Sequence, residues 1–527
     1  MTKTGRQLLG EFLEVFAVDY VFCNPGTTEA TFIDVVSTQR SCKFILALHE
    51  STAVGVAAGY ALKSGKPSIV NIHTYPGLAN AMSNLFNAYT SGIPLVVIAG
   101  QQNRQHLVHN PILSGELTEL ARTATTTQVQ IDHVRDMSIL LQRVYLEAAE
   151  SRMPTFVSIP MEIYEDSCEG GYFKPTKVLA EPAVDDLGAI ARDLAVGGKV
   201  AFVADAEALW SPSVKTSLTA LSAALGADVW LAPFAVRSMA DVGSPRYRGC
   251  LPSVSDEANK VLAGYDTVVL LGEKIQSFLY HGLPTVPGQV HLIQFSDGNT
   301  RTRHDVPFDA VVRGNIGRNL ERLAALVAEH APAVKAPVPA TGPTAAPPQS
   351  LLLDMLESLP RDTAIVIEGS SHGAIEESLV THLRFQEVYF EPRGGALGMA
   401  MPLAIGISLH SRKPTVCLTG DGGSLFSIQA LWTAARYRVP VVFVCFVNHE
   451  YRILKQLWKL QVPQSTEDQY GPVMDLKDPE LDLAKIAEGF GARARRADQS
   501  NYGAVLAEAM THDGPTFIMI PDDHRYL

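Results

Sequence analysis

Short apolar runs rich in β-branched residues recur along the whole chain, each followed by a stretch of helical periodicity. In the first third PSIVNIH and LVVIAG read as strands, separated by a helix over 77–91. VAFVAD, TVVLLG and VHLIQF follow in the middle, and AIVIEG, TVCLTG and VPVVFVCFVN in the last third, where MAMPLAIGISL and SIQALWTAARY read as helices. Strands that do not alternate with polar residues must be covered on both faces, and crossover helices supply that cover in parallel sheets. The expected fold is therefore three doubly wound parallel-sheet α/β domains. Ligands of such sheets sit beyond the carboxyl ends of the strands.

A chain of 527 residues matches three domains at roughly 100–200 residues each. The segment 331–349, APAVKAPVPATGPTAAPPQ, has the composition of an extended, semi-rigid linker. Hydrophobic periodicity is also lost after Glu165, in DSCEGGYFKP. The expected domains are 1–170, 185–330 and 350–527, with the linker at 331–349.

A net charge of −12 with scattered basic residues disfavours nucleic-acid and anionic-membrane partners. The longest apolar run, Val439 to Val447, is far short of the ~20 residues that span a bilayer. The N-terminus has an early acidic residue and no apolar core, unlike a signal peptide. Six cysteines without a C-x-x-C pair read as free thiols of a cytoplasmic protein, with no zinc site.

The strand TVCLTG runs directly into Gly420-Asp421-Gly422-Gly423-Ser424 and then a helix. Glycines at such a turn let the backbone approach an anion, and the helix start offers N–H groups to it. The next strand ends at Asn448, so Asp421 and Asn448 lie at the carboxyl ends of successive strands. A carboxylate and an amide oxygen, completed by diphosphate oxygens, a backbone carbonyl and water, suit Mg²⁺. The plainer alternative is an ordinary turn capped by an aspartate. This arrangement resembles the thiamine-diphosphate motif, in which GDG is followed some way on by Asn.

Near the N-terminus Asn24-Pro25-Gly26-Thr27-Thr28-Glu29 forms a tight turn, His49-Glu50 opens the helical STAVGVAAGYAL, and Asn71-Ile72-His73 ends a strand. Thiamine chemistry needs a carboxyl group beside N1′ of the aminopyrimidine, and Glu50 fits that task on a helix whose small residues would admit the ring. Dipole compensation is the plainer account of a glutamate at a helix start, and a lone histidine at a strand end is more often structural.

NPGTTE, LHESTAVGVAAGYA, NIHTYPGLANAMSNLFNAY, PLVVIAGQQ and GDGGSLFSIQALWTAARYRVPVVFV together resemble the thiamine-diphosphate family of benzoylformate decarboxylase, pyruvate decarboxylase and acetolactate synthase. The resemblance runs in order through the whole chain. It implies Glu50 as cofactor activator, His73 and His281 as acid/base groups, and Thr27 as the hydroxyl that holds a substrate carboxylate. It further implies Ser370, Ser371, Gly422, Gly423 and Ser424 around the diphosphate, and Leu397 propping the cofactor into a bent shape. Asp421, Asn448 and the backbone carbonyl of Glu450 would hold Mg²⁺. The cofactors implied are thiamine diphosphate and Mg²⁺, the substrate is a small 2-oxo acid, and the assembly is a homodimer at minimum, with a homotetramer expected.

Departures from the pattern concern the substrate side. His449 and Glu450 replace the usual small residues after Asn448, and Ile453 and Leu457 differ from the benzoylformate pocket. Arg393, Arg452 and Lys455 are either recognition sites for an anionic substrate group or members of salt bridges. Non-oxidative decarboxylation is the expected reaction. A carboligase or lyase acting on an acyloin or 2-hydroxyacyl compound is the first alternative, and a catalytically silent paralogue the second. A nucleotide-dependent oxidoreductase is disfavoured because no strand is followed by G-x-G-x-x-G.

Overall fold

The computed structural model describes the chain except residues 1, 175–186, 197, 206–207, 209–211, 234, 236, 239–243, 273–274, 276–287, 298–307, 331–350, 370–382, 384, 391–392 and 523–527. The described residues form three doubly wound α/β units, as the alternation of apolar runs and helices requires.

The first sheet contains β1 (Tyr20–Asn24), β2 (Lys43–Leu46), β3 (Ser68–Ile72), β4 (Leu95–Gln101), β5 (Gln128–Gln130) and β6 (Thr155–Pro160), in the spatial order β2-β1-β3-β4-β6-β5. The second contains β7 (Val200–Ala204), β8 (Asp228–Leu231), β10 (Tyr247–Cys250), β11 (Thr267–Leu271), β12 (His291–Ser296) and β13 (Ala310–Arg313), in the order β10-β8-β7-β11-β12-β13. The third contains β14 (Ala364–Glu368), β15 (Glu387–Tyr389), β16 (Thr415–Gly420), β17 (Val441–Val447), β18 (Arg493–Arg496) and β19 (Thr516–Pro521), in the order β15-β14-β16-β17-β19-β18. All pairings within these eighteen strands are parallel.

The first and third sheets share one winding. In each, the second strand lies on one side of the first and the third strand on the other, so the winding reverses between strands one and three. That reversal opens a crevice at the carboxyl ends, the switch point where ligands of open α/β sheets bind. The middle sheet has the other common doubly wound order, reversing between β7 and β11.

Two strand pairings among the described residues depart from the all-parallel expectation: Thr2–Thr4 pairs antiparallel with Ser167–Glu169, and the other lies at the edge of the third sheet. β9 (Arg237–Ser238), a two-residue strand of the middle segment, pairs antiparallel with β15 at the edge of the third sheet. A short covering strand satisfies edge groups that would otherwise invite pairing with another chain.

The first and third units are locked by helices α1 (Glu50–Ser64) and α3 (Ala400–Ser411). Both are buried nearly all round, and small residues bring their backbones together. A Cβ at Gly59 would collide with the Leu403 carbonyl, and one at Gly406 with the Val56 carbonyl. Gly55 and Gly59 of α1 face α3, where a Cβ would meet Pro402 and Leu403. A single apolar core runs through both units across this contact.

Candidate active site

Both ends of the predicted site fall at switch points. In the first sheet the Asn24–Glu29 turn leaves β1 and His73 follows β3. In the third, Glu368 ends β14 and Asp421 follows β16.

Glu50 is the first residue of α1, where the helix dipole favours an anion. It is 7 % exposed and accepts a hydrogen bond from Asn80 Nδ2 at 3.1 Å. Gly77 of α2 (Thr74–Thr90) faces it: a Cβ there would sit 3.3 Å from Glu50 Oε1.

His73 caps α2 from the end of β3, and its Nδ1 lies 2.8 Å from Glu29 Oε2 and 3.1 Å from Thr28 Oγ1. A Cβ at Gly26 would fall in the imidazole ring, so the turn must carry glycine there. Glu29 is 1 % exposed and accepts further hydrogen bonds from the N–H of Gly26 and Gly100 and from the Thr28 hydroxyl. Thr27 is exposed at the same turn, one residue before the threonine that meets His73. Sequence reasoning passed over Glu29 and Thr28. Their signal was present in NPGTTE, where a glutamate in a tight turn after a buried strand has few ways to be satisfied other than pairing with a neighbour.

The residue after His73, Thr74, has φ 51° and is fully buried. A β-branched side chain is disfavoured in that left-handed region, and such strain costs on the order of 1–3 kcal/mol. His449, directly after Asn448, has φ 57°. Left-handed backbone therefore follows a candidate site residue in both sheets.

The hydrogen bond from His73 to Glu29 raises the histidine above its ordinary value against the cost of burial, and the charges of Glu29 and Glu50 add to the rise. The pair therefore stabilises the fold fully below about pH 6.5, the ordinary histidine value. That contribution is lost as pH rises through the raised His73 value. Replacing Glu29 with Gln is expected to move the His73 titration midpoint, followed by imidazole NMR, to lower pH. An unmoved midpoint would show that Glu29 does not set it.

In the third unit the single turn Asp421–Ser424 begins where β16 stops. Asp421 is 4 % exposed, and its carboxylate accepts the N–H of Gly422 at 2.8 Å, of Asn448 at 3.1 Å and of His449 at 2.6 Å. Burial pushes its carboxyl up despite those three N–H groups, so an adjacent cation would offset an unfavourable charge. Asn448 Oδ1 accepts the Glu450 N–H at 3.1 Å. The buried Asp421 carboxylate after β16, with the Asn448 amide oxygen and the Glu450 carbonyl after β17, offers an all-oxygen set of the kind that fits Mg²⁺. Among the described residues no group of three or more His, Cys, Asp or Glu could hold a metal ion, and this set, with its single carboxylate, is of a different kind.

Around that turn, a Cβ at Gly422 would lie 3.0 Å from the Tyr451 ring and one at Gly423 3.4 Å from Thr419 Oγ1, so the glycines keep a cradle open. The buried Ser424 hydroxyl donates to the Asp421 carbonyl at 2.8 Å and so closes its own turn. Leu397 is half-buried on a clamped loop. Asn87 of α2 donates to the Ala396 carbonyl at 2.8 Å and accepts the Ala396 N–H at 3.1 Å, while Glu368 accepts the N–H of Gly398 and Met399. His281, Ser370 and Ser371 lie outside the described residues.

The three cations considered for substrate recognition are all paired within the chain. Arg393 meets Asp205 at the end of β7; Arg452 binds Glu450 at 2.8 Å and Asp522 at 2.6 Å; Lys455 binds Glu450 at 2.6 Å and Asp475 at 2.5 Å. Against the cost of burial, Lys455 and Arg452 hold the Glu450 carboxyl below the usual range. The stretch after Leu460 forms a helix at Glu467–Met474. It then returns to the turn after β17: Tyr451 N–H donates to the Met474 carbonyl and Leu476 N–H to the His449 carbonyl.

Two family profiles match the chain: thiamine pyrophosphate enzyme, N-terminal TPP binding domain, over residues 3–129, and the C-terminal TPP binding domain over residues 373–520. Benzoylformate decarboxylase of Pseudomonas aeruginosa is 30 % identical, with 98 % of this chain and 99 % of the relative aligned. The chain belongs to the thiamine pyrophosphate enzyme family. The crystal structure of benzoylformate decarboxylase from Polynucleobacter necessarius superposes with a TM-score of 0.87 at 25 % identity, covering 98 % of each chain. The acetolactate synthase large subunit of Haemophilus influenzae is 24 % identical over 93 % of this chain and 88 % of its own. Glu50 and His73 lie within the first matched region, and Asp421 and Asn448 within the second. No helix among the described residues is long and apolar enough to cross a membrane.

Proposed function

We propose that the protein catalyses the Mg²⁺-dependent, non-oxidative decarboxylation of a 2-oxo acid, with thiamine diphosphate as cofactor. The observation that carries this reading is the His73–Glu29 pair, a half-buried imidazole on a buried carboxylate, at the switch point that Glu50 also borders. A positioned acid/base histidine beside a cofactor-activating carboxyl is what protonating a decarboxylated product requires.

When bound, thiamine diphosphate supplies the electron sink that lets a carbon–carbon bond beside a carbonyl break. Asp421, Asn448 and the Glu450 carbonyl would hold Mg²⁺, and Ser370 and Ser371 would supply hydroxyls to the diphosphate. Leu397 would support the bend, and Gly422, Gly423 and Ser424 would line the diphosphate cradle. Glu50, 7 % exposed, would hold the proton exchanged with the pyrimidine ring of the cofactor. With Nδ1 of His73 committed to Glu29, Nε2 is the atom left to carry a proton to and from the reacting carbon. Thr27 would hold the substrate carboxylate and His281 would act as the second acid/base group.

No hydrogen bond or ion pair joins Glu50 or His73 to Asp421 or Asn448. Exposed Leu48, Tyr75, Phe86 and Phe426 lie beside these two half-sites. Both facts support a homodimer in which each half meets its complement on a second copy; a homotetramer would pair two such dimers.

A second reading, ligation or cleavage of an acyloin or 2-hydroxyacyl compound, is favoured by the likeness to acetolactate synthase. Calorimetric titration of thiamine diphosphate into metal-stripped protein is expected to show binding that requires Mg²⁺. Incubating the loaded protein with 2-oxo acids, benzoylformate first, is then expected to release carbon dioxide and the free aldehyde. An acyloin as main product when an aldehyde is added would move the ligase reading to the front. Absence of cofactor binding in folded dimer would sink both and leave a silent paralogue.

A further inference from the structure

We propose that Asp522 is a positioning residue that fixes the amide of Asn448 in its metal-binding orientation and ties it to helix α4 (Arg452–Gln461). This rests on the metal role proposed for Asn448.

Asp522 follows β19, and its side chain is 0 % exposed. Its N–H donates to the Val447 carbonyl at 2.9 Å, which pins it beside the end of β17. Its Oδ2 accepts a hydrogen bond from Asn448 Nδ2 at 3.2 Å and another from Arg452 Nη1 at 2.6 Å.

An asparagine amide has a donor end and an acceptor end that exchange places by a half-turn. Only the oxygen can meet a cation. Committing the nitrogen to a buried carboxylate removes the wrong orientation, because a flipped amide would set its oxygen against Asp522. Arg452 supplies the counter-charge that keeps this carboxylate ionised out of water. Arg452 also opens α4, which carries Ile453 and Leu457, the positions that depart from the benzoylformate pocket. One buried carboxylate thus links the metal turn to that helix. Asp522 and Asn448 are far apart in sequence, and neither family motif includes Asp522.

The test is titration of Mn²⁺ into protein saturated with thiamine diphosphate, reading free Mn²⁺ by electron paramagnetic resonance, so no substrate is needed. Loss of an outer partner of a metal ligand typically costs about 10–100-fold in affinity, and Asp522→Leu is expected to weaken Mn²⁺ binding in that range. Asp522→Asn retains an oxygen for Asn448 Nδ2 and is expected to recover most of the loss. Arg452→Gln leaves the Asn448–Asp522 bond in place but withdraws the counter-charge of Asp522, and is expected to lose less Mn²⁺ affinity than Asp522→Leu does. The proposal is overturned if folded Asp522→Leu binds Mn²⁺ normally, or if Asp522→Asn or Arg452→Gln loses as much affinity as Asp522→Leu. A wild type that binds no Mn²⁺ with the cofactor present overturns the metal assignment itself, and this proposal with it.

Discussion

Glu50→Gln is expected to lower turnover by about 10²–10⁴-fold, the usual worth of a positioned proton-transfer group, while leaving the apo fold intact. Glutamine has the size of glutamate, and its amide oxygen can still accept the hydrogen bond from Asn80 that fixes Glu50 now. What the substitution removes is a proton-exchanging oxygen and one negative charge at the start of α1, a charge worth roughly 0.3–1 kcal/mol to a helix. Thermal unfolding should therefore register only that small loss. Deuterium exchange at the C2 position of bound thiamine diphosphate measures the activated step without any substrate, so the result does not depend on having found the right 2-oxo acid. Slow exchange with preserved cofactor affinity places Glu50 in the chemistry. Exchange at the wild-type rate would remove Glu50 from the role and force another carboxyl to be sought around Gly77.

The architecture was legible where burial on both faces imposed a continuous apolar run. VAFVA, TVVLL, TVCLTG and VVFVCFV are central strands, and each stands where the sequence placed it. Edge strands escaped because nothing requires them to be apolar. β18 is Arg-Ala-Arg-Arg, and two of its arginines, Arg493 and Arg495, pair with Glu508 on the helix that precedes β19. Charges of this kind protect an edge, and they also erase its hydrophobic signature. The helix over 77–91 begins three residues earlier, at Thr74, because His73 serves as its cap.

The site divided along similar lines. Glu50, His73, Asp421 and Asn448 sit where strand ends meet helix starts, so pattern and chemistry pointed to the same places. Glu29, Asp522 and Asn87 act through other residues, and their partners lie tens to hundreds of positions away in sequence. A one-dimensional reading has no means of pairing them. Arg393, Arg452 and Lys455 show the converse: three cations near a site suggest an anionic ligand until the fold brings Asp205, Glu450, Asp475 and Asp522 to them.

Asp421→Asn is expected to cost Mg²⁺-dependent affinity for thiamine diphosphate at least the 10–100-fold that loss of an outer partner costs a metal site, because here the charged ligand itself is removed. Asparagine is the informative replacement. Asp421 accepts three backbone N–H groups, and alanine would leave all three without an acceptor in a buried turn, at about 1–3 kcal/mol for each. Asparagine keeps one oxygen for the two donors that now share Oδ2, those of Asn448 and His449, and strands only the Gly422 N–H. The turn should therefore persist, and with it the close approach of β16 and β17 that sets Asn448 beside it. Calorimetric titration of the cofactor at rising Mg²⁺ separates the two effects. A variant that melts normally yet binds thiamine diphosphate equally weakly with and without Mg²⁺ has lost the cation and kept the cradle. Wild-type affinity with an undiminished Mg²⁺ requirement would mean that the cation is held elsewhere, and that the buried carboxylate at the end of β16 is only the pin of its own turn.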